Sequence, residues 1–369
     1  MFFQEKAMYR DETDWLFEVA PAVVREKRKR LHEGFRAASY LIRQGCLIIT
    51  ETLSGGAVMN NTVILSSDAC LGHFPGPEHP ECPDRLIAVR DALTTPEFES
   101  IPWRHAPMGT KEQLLLVHTP EYVKRIETIR PKVGYVPLDG GDTIMSPGTW
   151  DCVMSCVGAA CLGVDMVMKG EADNVFCATR PCGHHAEPDR AMGFCVFNHA
   201  AIGAAYACDK YKLDRVAIVD FDVHHGNGTQ DAFYHRPEIF YASTHQSPFY
   251  PGSGARYETG IDHNIVNVPL SRGAGSDKFR NAMTFEILPA LKKFNPSILI
   301  VSAGFDAHRK DPLGGLSFTD DDFYWVTKEL MKVADECCDG KIVSILEGGY
   351  SLDGLASGSA AHVRALMGN

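Results

Sequence analysis

Short apolar runs punctuate the second half of the chain. Val216-Ala217-Ile218-Val219, Ile298-Leu299-Ile300-Val301 and Ile342-Val343-Ser344-Ile345-Leu346 are almost free of polar side chains and rich in β-branched ones. That is the pattern of strands buried on both faces, as in a parallel sheet. A further strand is predicted over 174–178. From Val63 onward strand-like and helix-like patterns alternate. The alternation predicts an α/β domain with a mostly parallel central sheet and helices on both faces.

The first 58 residues follow another pattern. Arg25 to Arg30 form a mixed-charge cluster, and Leu31, Phe35, Ala38, Leu41 and Ile42 follow it at helical spacing. An amphipathic helix is predicted within 20–45. Ser54-Gly55-Gly56 then forms a turn before Met59, itself a natural start. The expected organisation is a helical appendage, residues 1–58, and a main domain, residues 59–369. A charged helix face is more often solvated than functional.

Composition narrows the classes. With 45% hydrophobic and 22% charged residues in 369, the chain has ample core for a globular protein. A formal net charge of −11 argues against general nucleic-acid binding. It would suit a cationic substrate, although solubility alone explains it equally well. Twelve cysteines in this length are too dilute for a disulfide scaffold, and no CxxC pair is followed by a second. Reduced thiols and a cytoplasmic compartment are expected. No apolar stretch is seen to reach the roughly 18 residues of a membrane span. The opening Met1-Phe2-Phe3-Gln4-Glu5 lacks a signal-peptide design, so no membrane attachment is expected.

The chemistry sits just past the apolar runs. The first leads into Asp220-Phe221-Asp222-Val223-His224-His225-Gly226-Asn227, the second into Ser302-Ala303-Gly304-Phe305-Asp306, the third into Glu347-Gly348-Gly349-Tyr350. Ligands bind beyond the carboxyl ends of strands in open α/β sheets, so the three clusters should meet at one rim. In an extended segment Asp222 and His224 would face the same side and share a metal, with Asp306 arriving from another strand. Three protein ligands and an open position suit catalytic zinc, one per chain. Two oxygens and one nitrogen suit ferrous iron as well. Singly, such residues are usually solvated loop residues or helix caps; their concentration after three buried strands favours a site.

Gly183-His184-His185 follows the predicted strand at 174–178. Paired imidazoles beside a metal suit acid–base work, and Asp220 and Asn227 are the right types to orient them. Tyr350, after two glycines, can aim a phenol at a developing oxyanion. Alone, each feature would more often be structural.

Together, Arg180-Pro181-Cys182-Gly183-His184-His185, Gly193-Phe194-Cys195, Asp220 to Gln230, Ala303 to Gly314, Glu347-Gly348-Gly349-Tyr350 and His79-Pro80-Glu81-Cys82-Pro83-Asp84-Arg85-Leu86 resemble the histone deacetylase superfamily. The resemblance spans roughly residues 60–369, and the Asn227 variant looks most like the class II and bacterial branch. Residues 1–58 are read as lying outside it. The resemblance implies an arginase–deacetylase type α/β fold with about eight strands. It implies metal ligands Asp222, His224 and Asp306, an acid–base pair His184 and His185 bonded to Asp220 and Asn227, and Tyr350 as oxyanion donor. Phe194 and Tyr250, with Gly193 beside them, would wall a narrow channel; Asp142 would accept a hydrogen bond at its rim. A potassium ion is implied near Asp220, Asp222, His224 and Ser243.

The implied activity is hydrolysis of an acetyl-lysine-type amide to acetate and free amine. An acetylpolyamine amidohydrolase is the alternative, and an inactive module binding acetylated ligands a more distant one. A polyamine-selective branch places a glutamate after Asp-Pro, where this chain has Leu313; Asp139 or Asp142 at the rim could take over its role. A two-manganese ureohydrolase needs an acid two residues after the metal-binding histidine, and Gly226 stands there. Cys182 and His199 depart from the family pattern, which commonly has proline and asparagine at those places. The expected partner is an acetylated amine; a homo-oligomer is left open.

Overall fold

In the computed structural model, residues 60–368 are described. The helix expected within 20–45 and the boundary at 58/59 lie outside them. Ten strands are described: β1 Thr62–Ser66, β2 Trp103–His105, β3 Val136–Pro137, β4 Ile144–Met145, β5 Asn174–Cys177, β6 Val216–Asp220, β7 Ile239–Gln246, β8 Ile265–Leu270, β9 Ile298–Ala303 and β10 Ile342–Leu346. Eight of them form one sheet in the order β2-β1-β5-β10-β9-β6-β7-β8, parallel throughout. β3 and β4 form a separate antiparallel hairpin.

Side-chain alternation sorts each central strand between two cores. Ala217, Val219, Leu299, Val301, Ile342 and Leu346 pack with the helices Pro83–Ala92, Asp320–Cys338 and Leu352–Leu366. Val216, Ile218, Ile298, Ile300, Val343 and Ile345 pack with Thr149–Met168 and His199–Tyr211. Successive strand residues face opposite ways, so a run apolar at every position demands helices on both faces.

One apolar stretch does reach the length of a membrane span, contrary to the expectation that none would. Thr149–Met168 is long and apolar enough to cross a membrane, with a hydropathy of 1.6 over its 18-residue window. That window is 78% buried, so the helix's apolar surface is satisfied by the sheet and by His199–Tyr211. Its composition reflects a core helix hydrophobic nearly all round.

The four strands that lead into the motifs, β5, β10, β9 and β6, are consecutive in the sheet. All run parallel, so their carboxyl ends share one edge. The convergence expected from the sequence is therefore a property of the topology.

Candidate active site and metal centre

β6 ends at Asp220, and Phe221–His224 turns rather than continuing extended. The expected alternation along a strand is thus not what brings the ligands together. Asp220 Oδ1 accepts from Asp222 N–H at 3.1 Å, and Asp222 Oδ1 accepts from His224 N–H at 2.9 Å. These local side-chain bonds replace the lost ladder and bend the chain. Asp222, His224 and Asp306 nevertheless meet, with one donor atom from each within 4.8 Å of the others. Nδ1 of His224 lies 3.1 Å from Asp222 Oδ1 and 3.2 Å from Asp306 Oδ2. The remaining oxygens are held from behind, Asp222 Oδ2 by Gly348 N–H and Asp306 Oδ1 by Val223 N–H, both at 2.8 Å. A Cβ on Gly348 would come within 2.1 Å of Asp306 Oδ2, so only glycine lets this backbone approach the carboxylates.

Electrostatics show what the cluster lacks. Burial and then Asp222 push the Asp306 carboxyl up to about 7. Burial opposes charge on His224, yet hydrogen bonds to Asp222 and Asp306 drive it up to about 10. Two carboxylates with oxygens within 4.8 Å of each other repel by roughly 3 kcal/mol or more at an effective dielectric of ~20. Here a proton shared with His224 relieves that repulsion, and a divalent cation would relieve it more fully. Two carboxylate oxygens and one imidazole nitrogen on a braced, dry frame fit such an ion.

The histidine pair adjoins the cluster, its rings 4.1 Å apart. His184 Nδ1 donates to Asp220 Oδ2 at 3.0 Å, and His185 Nδ1 donates to Asn227 Oδ1 at 2.8 Å. Their environments pull in opposite directions. Burial opposes charge on both, but Asp222 and Asp220 overcome it at His184 and hold it well above the usual histidine range. At His185 burial is reinforced by His184 and His224, and the ring is held well below that range. One imidazole is thus kept charged and its neighbour neutral. The Asn227 amide is oriented by Glu187, whose Oε1 accepts from Nδ2 at 2.8 Å.

The expected wall residues are nearby. Gly193 (φ +56°) and Phe194 (φ +69°) form a left-handed turn against His185 and Tyr350. Tyr250 stands edge-on to His185 at 5.1 Å and to His224 at 6.0 Å, while Phe249, absent from the sequence reading, stacks on His224 at 5.2 Å. Burial, then Cys182, keeps the Tyr350 phenol protonated, well above its usual range. Leu313 is half-buried, and Asp142 is exposed, its carbonyl accepting from His79 Nε2 at 2.9 Å. Asp139 is half-buried, and both its oxygens accept from Thr143. Ser243 pairs in register with Asp220, and its hydroxyl bonds His245 at 2.9 Å.

Several supporting residues were not assigned roles from sequence. Arg85 donates to the carbonyls of Gly349 (2.6 Å) and Glu347 (2.5 Å), pairs with Glu81, and lies 4.9 Å over the Tyr350 ring. Glu347 accepts from the N–H groups of Gly183 and His184. Asp311 accepts from the N–H groups of Tyr350, Ser351 and Leu313. The signal was present, since each lies inside a quoted motif, but backbone partners, whether carbonyl or N–H, are invisible in residue types. The two departures have different settings. Cys182 Sγ lies 3.4 Å from Cys195 Sγ, whereas His199 is buried with neither ring nitrogen partnered and is pushed down to about 3 by burial. A groove of about 840 Å³ lies elsewhere, beside β8 and lined by residues from Arg272 to Phe285, and contains none of these residues.

Comparison with known proteins agrees with the geometry. Residues 79–366 match the histone deacetylase domain. The chain is 36% identical to histone deacetylase 10, chloroplastic, of Oryza sativa, over 92% of this chain and 83% of that protein. That alignment is longer than residues 59–369 alone can supply, so the likeness reaches into the first 58 residues. The histone deacetylase-like amidohydrolase of Pseudomonas aeruginosa is 34% identical over 79% of this chain and 82% of its own. The crystal structure of the HDA15 HD domain matches with a TM-score of 0.79 at 34% identity, over 85% of this chain and 89% of that one. With its mostly parallel eight-stranded sheet of the arginase–deacetylase type and a family match over most of its length, this chain belongs to the histone deacetylase family.

Proposed function

We propose that the chain is a zinc-dependent deacetylase that hydrolyses acetyl-lysine-type amides to acetate and a free amine. The observation that carries this reading is the three-donor cluster of Asp222, His224 and Asp306 beside the two imidazoles of His184 and His185, each anchored through Nδ1, to Asp220 and Asn227 respectively. Zinc, or ferrous iron, held by those three residues would supply Lewis acidity to the amide carbonyl and acidity to the attacking water.

The chain's own groups divide the remaining work. His185 is neutral and donates its Nδ1–H as a hydrogen bond to Asn227 Oδ1, which leaves the Nε2 lone pair free to take the water's proton. His184, charged and anchored to Asp220, puts positive charge beside the reaction centre and has a proton to give the leaving amine. Tyr350, kept protonated, donates to the oxygen on which negative charge develops. Phe194 and Tyr250 flank the linear chain of the substrate, with Gly193 under the turn and Leu313 and Asp142 at the mouth. A structural potassium ion beside Asp220 and Ser243 belongs to the same proposal, as does a reducing, cytoplasm-type setting. Among the described residues eleven cysteines are free thiols.

Leu313 favours acetyl-lysine over acetylpolyamines, since an apolar rim residue gives a second substrate cation nothing to pair with. The test is metal content and turnover on the same protein. About one zinc or iron per chain is expected, with Asp222→Ala or His224→Ala losing both metal and activity. Catalytic efficiency on an acetyl-lysine peptide should exceed that on acetylspermidine and acetylputrescine. Full activity after complete metal removal would overturn the metal reading, and a tenfold preference for an acetylpolyamine the substrate reading.

A further inference from the structure

The β3–β4 hairpin lies against the Phe194 turn, and its loop spends its polar groups there. Asp139 Oδ1 accepts from the Thr143 N–H and Oδ2 from the Thr143 hydroxyl, both at 2.6 Å. With that proton committed, the hydroxyl oxygen accepts from Phe194 N–H at 2.9 Å. Thr143 is 1% exposed, so water is poorly placed to replace the bond. Phe194 needs the restraint, because its φ of +69° lies where a bulky side chain rarely rests. The same loop presents the Asp142 carbonyl to His79, whose ring meets Phe194 edge-on at 4.7 Å.

We propose that Asp139 and Thr143 form a positioning relay that sets the Phe194 wall of the substrate channel, and through it substrate affinity, without touching substrate. The proposal rests on the reading of Phe194 as a channel wall. The carboxylate fixes the direction of the hydroxyl proton; the hydroxyl then offers its lone pair to a backbone that would otherwise relax toward negative φ. Valine at 143 keeps the shape of threonine but removes both functions, and serine keeps both. Phe194 flanks the linear chain rather than the reacting carbonyl, so the effect should fall on KM.

Steady-state kinetics on an acetyl-lysine peptide, or on whichever acetylated amine of the panel is turned over, test this. Thr143→Val should raise KM about five- to tenfold with kcat within about threefold, and Thr143→Ser should restore KM to within twofold. Phe194→Ala should raise KM by itself, and Thr143→Val added to it should raise KM no further. A wild-type KM for Thr143→Val, or a full additional increase in the Phe194→Ala background, overturns the relay. If Phe194→Ala leaves KM unchanged, it is the channel reading that fails. Should Thr143→Val not fold, Asp139→Ala breaks the relay at a half-buried position, with the same expected KM rise and the same absence of effect over Phe194→Ala.

Discussion

At the scale of single residues the site is a set of side chains whose protonation is decided by neighbours. Tyr350 shows the principle most simply. Its ring is held between Phe194 and the Arg85 guanidinium, its backbone N–H is tied to Asp311, and its phenol is kept protonated by burial. Removing only the hydroxyl should leave that packing intact. Tyr350→Phe is therefore expected to retain fold and metal and to lose about 100- to 1,000-fold in kcat, the usual cost of one oxyanion donor. Circular dichroism and metal analysis alongside the kinetics would separate the cases. A near-normal kcat in a folded, metal-loaded variant would remove Tyr350 from the chemistry.

At the scale of elements the question is what keeps four loops in register. Much of it is one buried ion cluster. Glu81, at the start of the helix Pro83–Ala92, pairs with Arg180 after β5, with Arg85 on that helix and with His73. Arg85 then carries the link to the Glu347–Tyr350 turn after β10. Burial opposes charge on Glu81, but Arg180, then His73 and Arg85, hold its carboxyl far below the usual range. Glu81→Gln would strand two buried guanidinium groups, which typically costs about 3–5 kcal/mol. A folded pKa depressed in this way stabilises above the unfolded value of about 4.3 and ceases to do so as pH falls further. The gap in urea midpoint between wild type and Glu81→Gln should accordingly stay wide from pH 7 down to about pH 5 and narrow only as pH falls below about 4.3. A gap independent of pH would show that the Glu81 charge is not what stabilises the cluster.

These elements were unequally legible in the sequence. β6, β9 and β10 could be read directly because strands covered on both faces must be apolar at every position. β7 was not, because its second half, Ser243-Thr244-His245-Gln246, is polar although buried. Nor was the Phe221–His224 turn, since side-chain bonds to backbone N–H groups override the periodicity from which an extended segment is inferred. The ligand trio and the residue types that orient the histidines could be named from type and order, while the pairing of His184 with Asp220 and His185 with Asn227 came from the family resemblance. The Asp139–Thr143–Phe194 connection could not, because it depends on a hairpin that packs 51 residues away in sequence.

At the scale of the whole molecule the main domain closes on itself near residue 60. Asn60 N–H donates to the Met367 carbonyl at 3.0 Å, and its side chain to the Leu366 carbonyl at 3.1 Å. Asn61 N–H donates to Asp173 Oδ2 at 2.7 Å, just ahead of β5. The start of β1 is thereby clasped to the last helix and to the neighbouring strand. All of the site groups lie between His79 and Ser351, well inside that clasp. The likeness to the rice relative, by contrast, extends into part of residues 1–58. Likeness in sequence and catalytic need are separate matters, and every site group named above lies within residues 79–351. A chain beginning at Met59 is expected to keep kcat/KM on a small acetylated amine within about twofold of the full chain. A soluble, folded and metal-loaded protein of that length without activity would instead place part of residues 1–58 at the site, and measuring its oligomeric state beside the full chain would show whether that part acts through a second copy.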